Sequence, residues 1–115
     1  MSGIVYHKDY NKYDLGTGHP LVGDKPGKTM DFFEKKGLLD DVRVFSAVHA
    51  EDEDVLRVHS KQYLDRVKKL SKTGGKLSAD TPAPKGIYEN ALLPVGGTLV
   101  CGEKLFSGFD IMVNP

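Results

Sequence analysis

Residues Ile87 to Phe106 form one long apolar stretch, closed by Ser107-Gly108 and followed almost at once by the short apolar run Ile111-Met112-Val113. Parallel strands cannot be joined by a tight turn and need a crossover, usually a helix. A long apolar helix that breaks and hands over to a strand is the second half of such a crossover. This feature points the chain toward an α/β fold, with helices laid on a parallel sheet. The continuous apolar character of Ile111-Met112-Val113 predicts a strand buried on both faces. In open α/β sheets ligands bind outside the carboxyl ends of the strands. A functional loop is therefore expected to begin where this sequence closes, and the chain reads as the front part of a larger fold.

The earlier segments fit that scheme. Ile4-Val5-Tyr6 is a short β-prone run, and Gly16-Thr17-Gly18-His19-Pro20 is a loop that continues to Gly27. Lys28 to Lys36 has a helical pattern, with Met30 and Phe33 on one face and Gly37 as the residue that stops it. Val42-Arg43-Val44-Phe45 reads as a second parallel strand. The acidic run Glu51-Asp52-Glu53-Asp54 opens a helix where the macrodipole favours negative charge; that helix is expected to carry Val55, Leu56 and Val58. Ser60 caps another helix, on which Tyr63, Leu64, Val67 and Leu70 make one apolar stripe. Leu77 to Lys85, with Pro82 and Pro84, reads as loop. Within Ile87–Phe106, Pro94 predicts a kink or a restart. Gly96 and Gly97 each cost about 1 kcal/mol in a helix interior, which close packing against a sheet would explain. The expected order is β, α, β, α, α, α, β.

Composition narrows the function classes. The 115 residues suffice for one small domain. Sixteen basic and 16 acidic side chains give a net charge of +0, so no electrostatic footprint for direct nucleic-acid binding is visible. No run of 18 apolar residues is present, and neither a membrane span nor a secretory leader is expected. The single cysteine, Cys101, lies in an apolar context and reads as a small core residue. A cytoplasmic location is the expectation.

Candidate chemistry is sparse. Gly23-Asp24-Lys25-Pro26-Gly27-Lys28-Thr29 approaches the phosphate-cradling G-x-x-x-x-G-K-[ST] pattern, but Val22 stands where the first glycine belongs. A phosphate- or nucleotide-binding domain through Gly23–Thr29 is thus the third reading. His7, His19, His49 and His59 include no pair at helical i, i+3 or i, i+4 spacing, so no helix presents two metal ligands. Asp80 precedes Thr81-Pro82-Ala83-Pro84, in a stretch that proline holds extended. It reads either as a turn-forming carboxylate or as an exposed acceptor at the rim of a site.

An ordered set of motifs resembles the N-terminal part of the histone deacetylase superfamily, which includes class I histone deacetylases, bacterial acetoin-utilisation proteins and acetylpolyamine amidohydrolases. The set comprises Val5-Tyr6-His7-Lys8-Asp9-Tyr10, Gly16-Thr17-Gly18-His19-Pro20-Leu21, Val58-His59-Ser60-Lys61-Gln62-Tyr63-Leu64, Asp80 through Glu89, and Val95-Gly96-Gly97-Thr98-Leu99. The resemblance covers almost the whole chain and is closest to the acetoin-utilisation and prokaryotic deacetylase-like branch.

The resemblance implies that residues 1–115 are the N-terminal portion of a deacetylase-like domain. The implied architecture is a partial three-layer parallel sheet with flanking helices, resembling the front part of the arginase/deacetylase fold. It implies a zinc-dependent amidohydrolase acting on an acylated lysine, an acetylpolyamine or a related small acyl substrate. The catalytic histidines and the zinc ligands are expected outside these residues, so the chain alone is expected to be inactive. Asp80 matches the rim aspartate that accepts substrate N–H groups, and His19 and Pro20 match the first active-site loop. Tyr6 matches a residue beside the internal cavity, and Lys25 stands near the position of a cavity arginine. A lysine there lacks the planar, bidentate donor fork. The alternative is a non-catalytic assembly module, in which a second copy or a separate catalytic half covers the sheet edge.

Overall fold

A computed structural model describes residues 1–115. Its centre is a parallel three-stranded sheet in the order β2-β1-β5, built from β1 (Ser2–Tyr6), β2 (Val42–Ser46) and β5 (Ile111–Val113). Ile4 lies between Val44 and Val113 in register. Side chains alternate across a sheet, so these three share one face, while Val5, Phe45 and Met112 belong to the other. The second face carries the core. There Val5 is fully buried and packs with Tyr10, Ala47, Leu93 and Cys101, flanked by Phe45, Val100 and Met112.

Helix α4 (Ile87–Phe106) supplies that cover, with the boundaries its apolar run predicts. It continues through Pro94. The glycine pair answers a close approach, though the partner differs from expectation. A Cβ on Gly96 would stand 1.6 Å from the Val48 carbonyl oxygen, in the segment that follows β2. A Cβ on Gly97 would stand 1.9 Å from the Tyr10 hydroxyl. The helix therefore meets backbone and a tyrosine beyond the strands, besides the sheet itself.

β5 departs from its predicted burial. Ile111 is 59% exposed and Val113 44%, as is Val44 at 52% on β2. Alternation turns all three toward the face that α4 does not cover, and β5 is an edge strand.

Helix α1 (Lys25–Lys35) starts three residues before the predicted Lys28. Pro26 and Gly27, placed by the sequence reading in the preceding loop, occupy its first turn, where a proline loses no hydrogen bond. Gly27 donates its N–H to Asn11 Oδ1 (3.1 Å), fixing α1 against the 3-10 turn Lys8–Lys12. Helix α2 is confined to Asp52–Val55, shorter than expected, and Leu56 and Val58 lie in turns beyond it. Asp54 accepts the Glu51 N–H (3.0 Å) at its start. Ser60 then caps α3 (Lys61–Thr73) by accepting the Tyr63 N–H at 3.1 Å. The predicted stripe faces inward through Leu64, Val67 and Leu70, with Tyr63 more open.

The stretch read as loop between α3 and α4 contains a small antiparallel hairpin, β3 (Lys76–Ser78) and β4 (Thr81–Pro82). Ser78 pairs with Thr81, which leaves Ala79-Asp80 as the two-residue turn. Pro82 is compatible with this because a strand on an edge need not donate from every residue.

Candidate functional site

The hairpin turn and the loop that follows β1 meet across an open polar cleft of about 500 Å3, lined by Leu15, Thr17, Gly18, His19, Pro20, Asp80, Thr81 and Pro82. The cleft brings together the three predicted substrate-binding residues, with His19 and Pro20 about sixty positions from Asp80 in sequence.

Asp80 is held from both sides of its turn. Ser78 Oγ donates to its Oδ1 at 2.8 Å, and Thr81 Oγ1 donates to the same oxygen at 3.3 Å. The hydrogen bond from Ser78, then those from its own backbone N–H and from Thr81, hold the carboxyl below its ordinary range. The group is thus a carboxylate at neutral pH, and Oδ2 is left without a protein donor. Chemically the turn presents one oriented, negatively charged hydrogen-bond acceptor to the cleft. Ser78 is the member of this group that sequence reasoning missed. Its signal is a hydroxyl two residues before an aspartate whose next neighbour is also a hydroxyl.

His19 spans the cleft floor. Its Nδ1 accepts the Leu21 N–H (3.1 Å), so the proton of the neutral ring sits on Nε2, which donates to the Asp80 carbonyl oxygen at 3.0 Å. Pro20 is exposed beside it.

The predicted cavity residues lie elsewhere and apart. Lys25 is exposed and lines a smaller hollow of about 200 Å3 with Tyr10, Tyr13, Pro94 and Pro115. Tyr6, half-buried at the end of β1, does not line that hollow; it contacts Tyr10 edge-on at 5.9 Å between ring centres. Tyr10 lines that hollow together with Tyr13. Its hydroxyl donates to Asn114 Oδ1 (2.7 Å), and burial foremost, with Cys101 nearby, pushes its pKa up to about 12. Asn114 Nδ2 in turn donates to the Pro94 carbonyl and to Thr98 Oγ1, each at 2.9 Å. This network ties the carboxyl end of β5 to α4.

The phosphate-loop reading meets a different geometry. Lys25 to Thr29 are helical, Lys28 pairs with Asp24 at 2.7 Å, and Thr29 Oγ1 donates to the Lys25 carbonyl. Both side chains that would face a phosphate are engaged within the helix start. Of the other histidines, His7 Nδ1 accepts the Asp9 N–H (3.0 Å) and caps the 3-10 turn, and His59 lies 5.0 Å from the Tyr63 ring.

The structure is a parallel α/β unit with a polar cleft formed in part by the loop that follows β1. Sequence comparison gives the family. The family model for the histone deacetylase domain matches residues 19–114, and the chain belongs to that family. It is 34% identical over 109 residues to a probable deacetylase of Archaeoglobus fulgidus, covering 93% of this chain and 30% of that protein. It is 35% identical over 92 residues to a histone deacetylase-like amidohydrolase of Pseudomonas aeruginosa, covering 79% and 24%. The acetoin utilization protein AcuC of Bacillus subtilis is 30% identical over 118 residues, covering 93% and 30%. The chain thus spans less than a third of the length of these relatives.

The family is generally zinc-dependent. The side chains present do not fit a zinc site, because nowhere do three His, Cys, Asp or Glu residues converge so as to hold a metal ion. No helix is long and apolar enough to cross a membrane.

Proposed function

We propose that this chain forms the front wall of the substrate cleft of a deacetylase-like amidohydrolase, acting on an acylated lysine, an acetylpolyamine or a related small acyl compound. In this reading the three strands are the front part of an arginase/deacetylase-type sheet, in the cytoplasm. His19 and Pro20 line the entrance, and Asp80 accepts hydrogen bonds from substrate N–H groups. The observation that carries the reading is the meeting of His19, Pro20 and Asp80 in one cleft, with Asp80 Oδ2 unpaired. A charged acceptor in a fixed position orients a donor before chemistry begins, which is how positioning lowers a barrier. The bond-breaking groups lie outside these residues.

Titration of the 15N-labelled chain with an acetyl-lysine peptide tests the rim assignment. The expected result is chemical-shift change confined to the 16–20 and 78–82 segments and lost in Asp80→Ala. Shifts centred elsewhere, or none, refute it. The same protein supplied with zinc is expected to show no turnover of an acetyl-lysine reporter, and turnover would refute its inactivity alone.

A second reading is favoured by one observation, the apolar face left open at Val44, Ile111 and Val113. In it the chain is an assembly module whose sheet is covered by a second copy or a separate catalytic half.

A further inference from the structure

We infer that His19 is a positioning residue for Asp80, acting as a neutral, Nε2-protonated clamp that sets where the free carboxylate oxygen points. The inference rests on the rim reading of Asp80 given above.

Two loops that are distant in sequence form the cleft, and the hairpin that carries Asp80 is short. Its second strand is the two-residue Thr81–Pro82, and its register is irregular between Lys76 and Ser78. Such a ribbon is marginal by itself. The side-chain bonds of Asp80 run only to Ser78 and Thr81, so they fix the carboxylate relative to its own turn and not relative to the facing loop. The one hydrogen bond across the cleft runs from His19 Nε2 to the Asp80 carbonyl, while Leu15 joins Ala83 in a buried apolar cluster at the base of the hairpin. His19 is itself oriented, because its Nδ1 accepts the Leu21 N–H.

Each ring nitrogen therefore has one task, and the two tasks require one tautomer. An imidazole with its proton on Nδ1 would oppose the Leu21 N–H and leave Nε2, a lone-pair acceptor, against a carbonyl oxygen. A side chain without both a donor and an acceptor at these places loosens the Ala79-Asp80 tip, while the cluster of Leu15 and Ala83 still holds the base of the hairpin. The substrate N–H would then meet a carboxylate with a wider range of directions, and binding would weaken without loss of the fold. Glutamine offers an Nε2–H donor and an Oε1 acceptor at comparable spacing, so it is the conservative replacement.

The test uses the whole 115-residue chain with 15N-histidine labelling and the same acetyl-lysine peptide. Long-range proton–nitrogen correlation is expected to show His19 protonated on Nε2 alone at neutral pH. His19→Ala is expected to weaken peptide binding about fivefold, the usual scale for losing a positioned hydrogen bond, and to broaden the Asp80 and Thr81 amide signals. Its melting temperature is expected to stay near that of the parent. His19→Gln is expected to restore most of the binding. An Nδ1-protonated ring, or equal peptide affinity in His19→Ala and the parent, overturns the inference while leaving the rim reading in place. A parent protein that gives no peptide response overturns both. Melting of His19→Ala far below the parent, with no rescue by glutamine, assigns His19 to stability and also overturns the inference.

Discussion

At the scale of single residues, two glycines on one helix have opposite fates. Gly96 lies where an added Cβ would stand 1.6 Å from a backbone oxygen, and backbone cannot rotate aside as a side chain does. Gly102, on the same helix, has nothing within 4 Å of that position. Gly96→Ala is therefore expected to cost about 3 kcal/mol through overpacking. Gly102→Ala is expected to gain about 0.5–1 kcal/mol from helix propensity alone. Paired thermal melts of the two variants check both signs, and equal effects would remove the close approach of α4 to Val48. The sequence reading anticipated a packing reason for the glycine pair, since two glycines in mid-helix are costly unless something lies against them. It could not name Val48, because that contact depends on how the segment after β2 folds back.

At the scale of elements, three helices are joined at one carboxylate. Asp52 on α2 accepts from Lys68 on α3 and from the Tyr88 hydroxyl on α4. The bond from Lys68, then that from Tyr88, holds the Asp52 carboxyl below its ordinary value of 3.8. Burial foremost, and then Asp52, pushes the Tyr88 hydroxyl up. A carboxyl whose folded pKa lies below its unfolded one binds fewer protons in the folded state. Its stabilising effect is complete above the unfolded value and is lost as pH falls through the folded one. Chemical denaturation as a function of pH is therefore expected to show an acid limb beginning below about pH 4. Asp52→Asn is expected to be less stable at pH 7 and to show a shallower limb. An unchanged limb would assign acid sensitivity to Asp80 and Asp110, whose carboxyls are also held low. Legibility follows the same scale. α4 and the Ser60 cap were readable because apolar length and an N-cap hydroxyl are local signals. The hairpin around Asp80 was not, because its strands are shorter than any periodicity can report and its prolines point toward loop. The start of α1 was misplaced because Pro26 and Gly27 are breakers inside a helix but harmless in its first turn. Asp80 was legible as an acceptor, whereas its meeting with His19 is tertiary and came only through the resemblance.

At the scale of the whole molecule, the shape is a slab. Its extents are 43 × 32 × 18 Å and its radius of gyration is 15.5 Å, against about 13 Å for a compact domain of this length. Only 17 of 115 residues are buried, so much apolar surface stays open, including Val44, Ile111, Val113 and the 96% exposed Phe106. The open sheet face at Val44, Ile111 and Val113 is the surface on which the assembly reading rests. Sedimentation of the purified chain is expected to show concentration-dependent self-association together with binding of an apolar dye. The double variant Val44→Thr, Val113→Thr is expected to reduce both without a large fall in melting temperature. A clean monomer that binds no dye would count against the assembly reading.

The strand order has a consequence in time. β1 is the central strand, yet its partners come from residues 42–46 and 111–113. β1 must therefore wait, with one edge unsatisfied, until residues 111–113 have been made. Closing so distant a pair carries a large loop entropy before any contact rewards it, which slows folding. During that wait an open, apolar edge is available to neighbouring chains. Recovery of native protein should then depend on how dilute the nascent or refolding chains are, more than on the stability of the finished sheet.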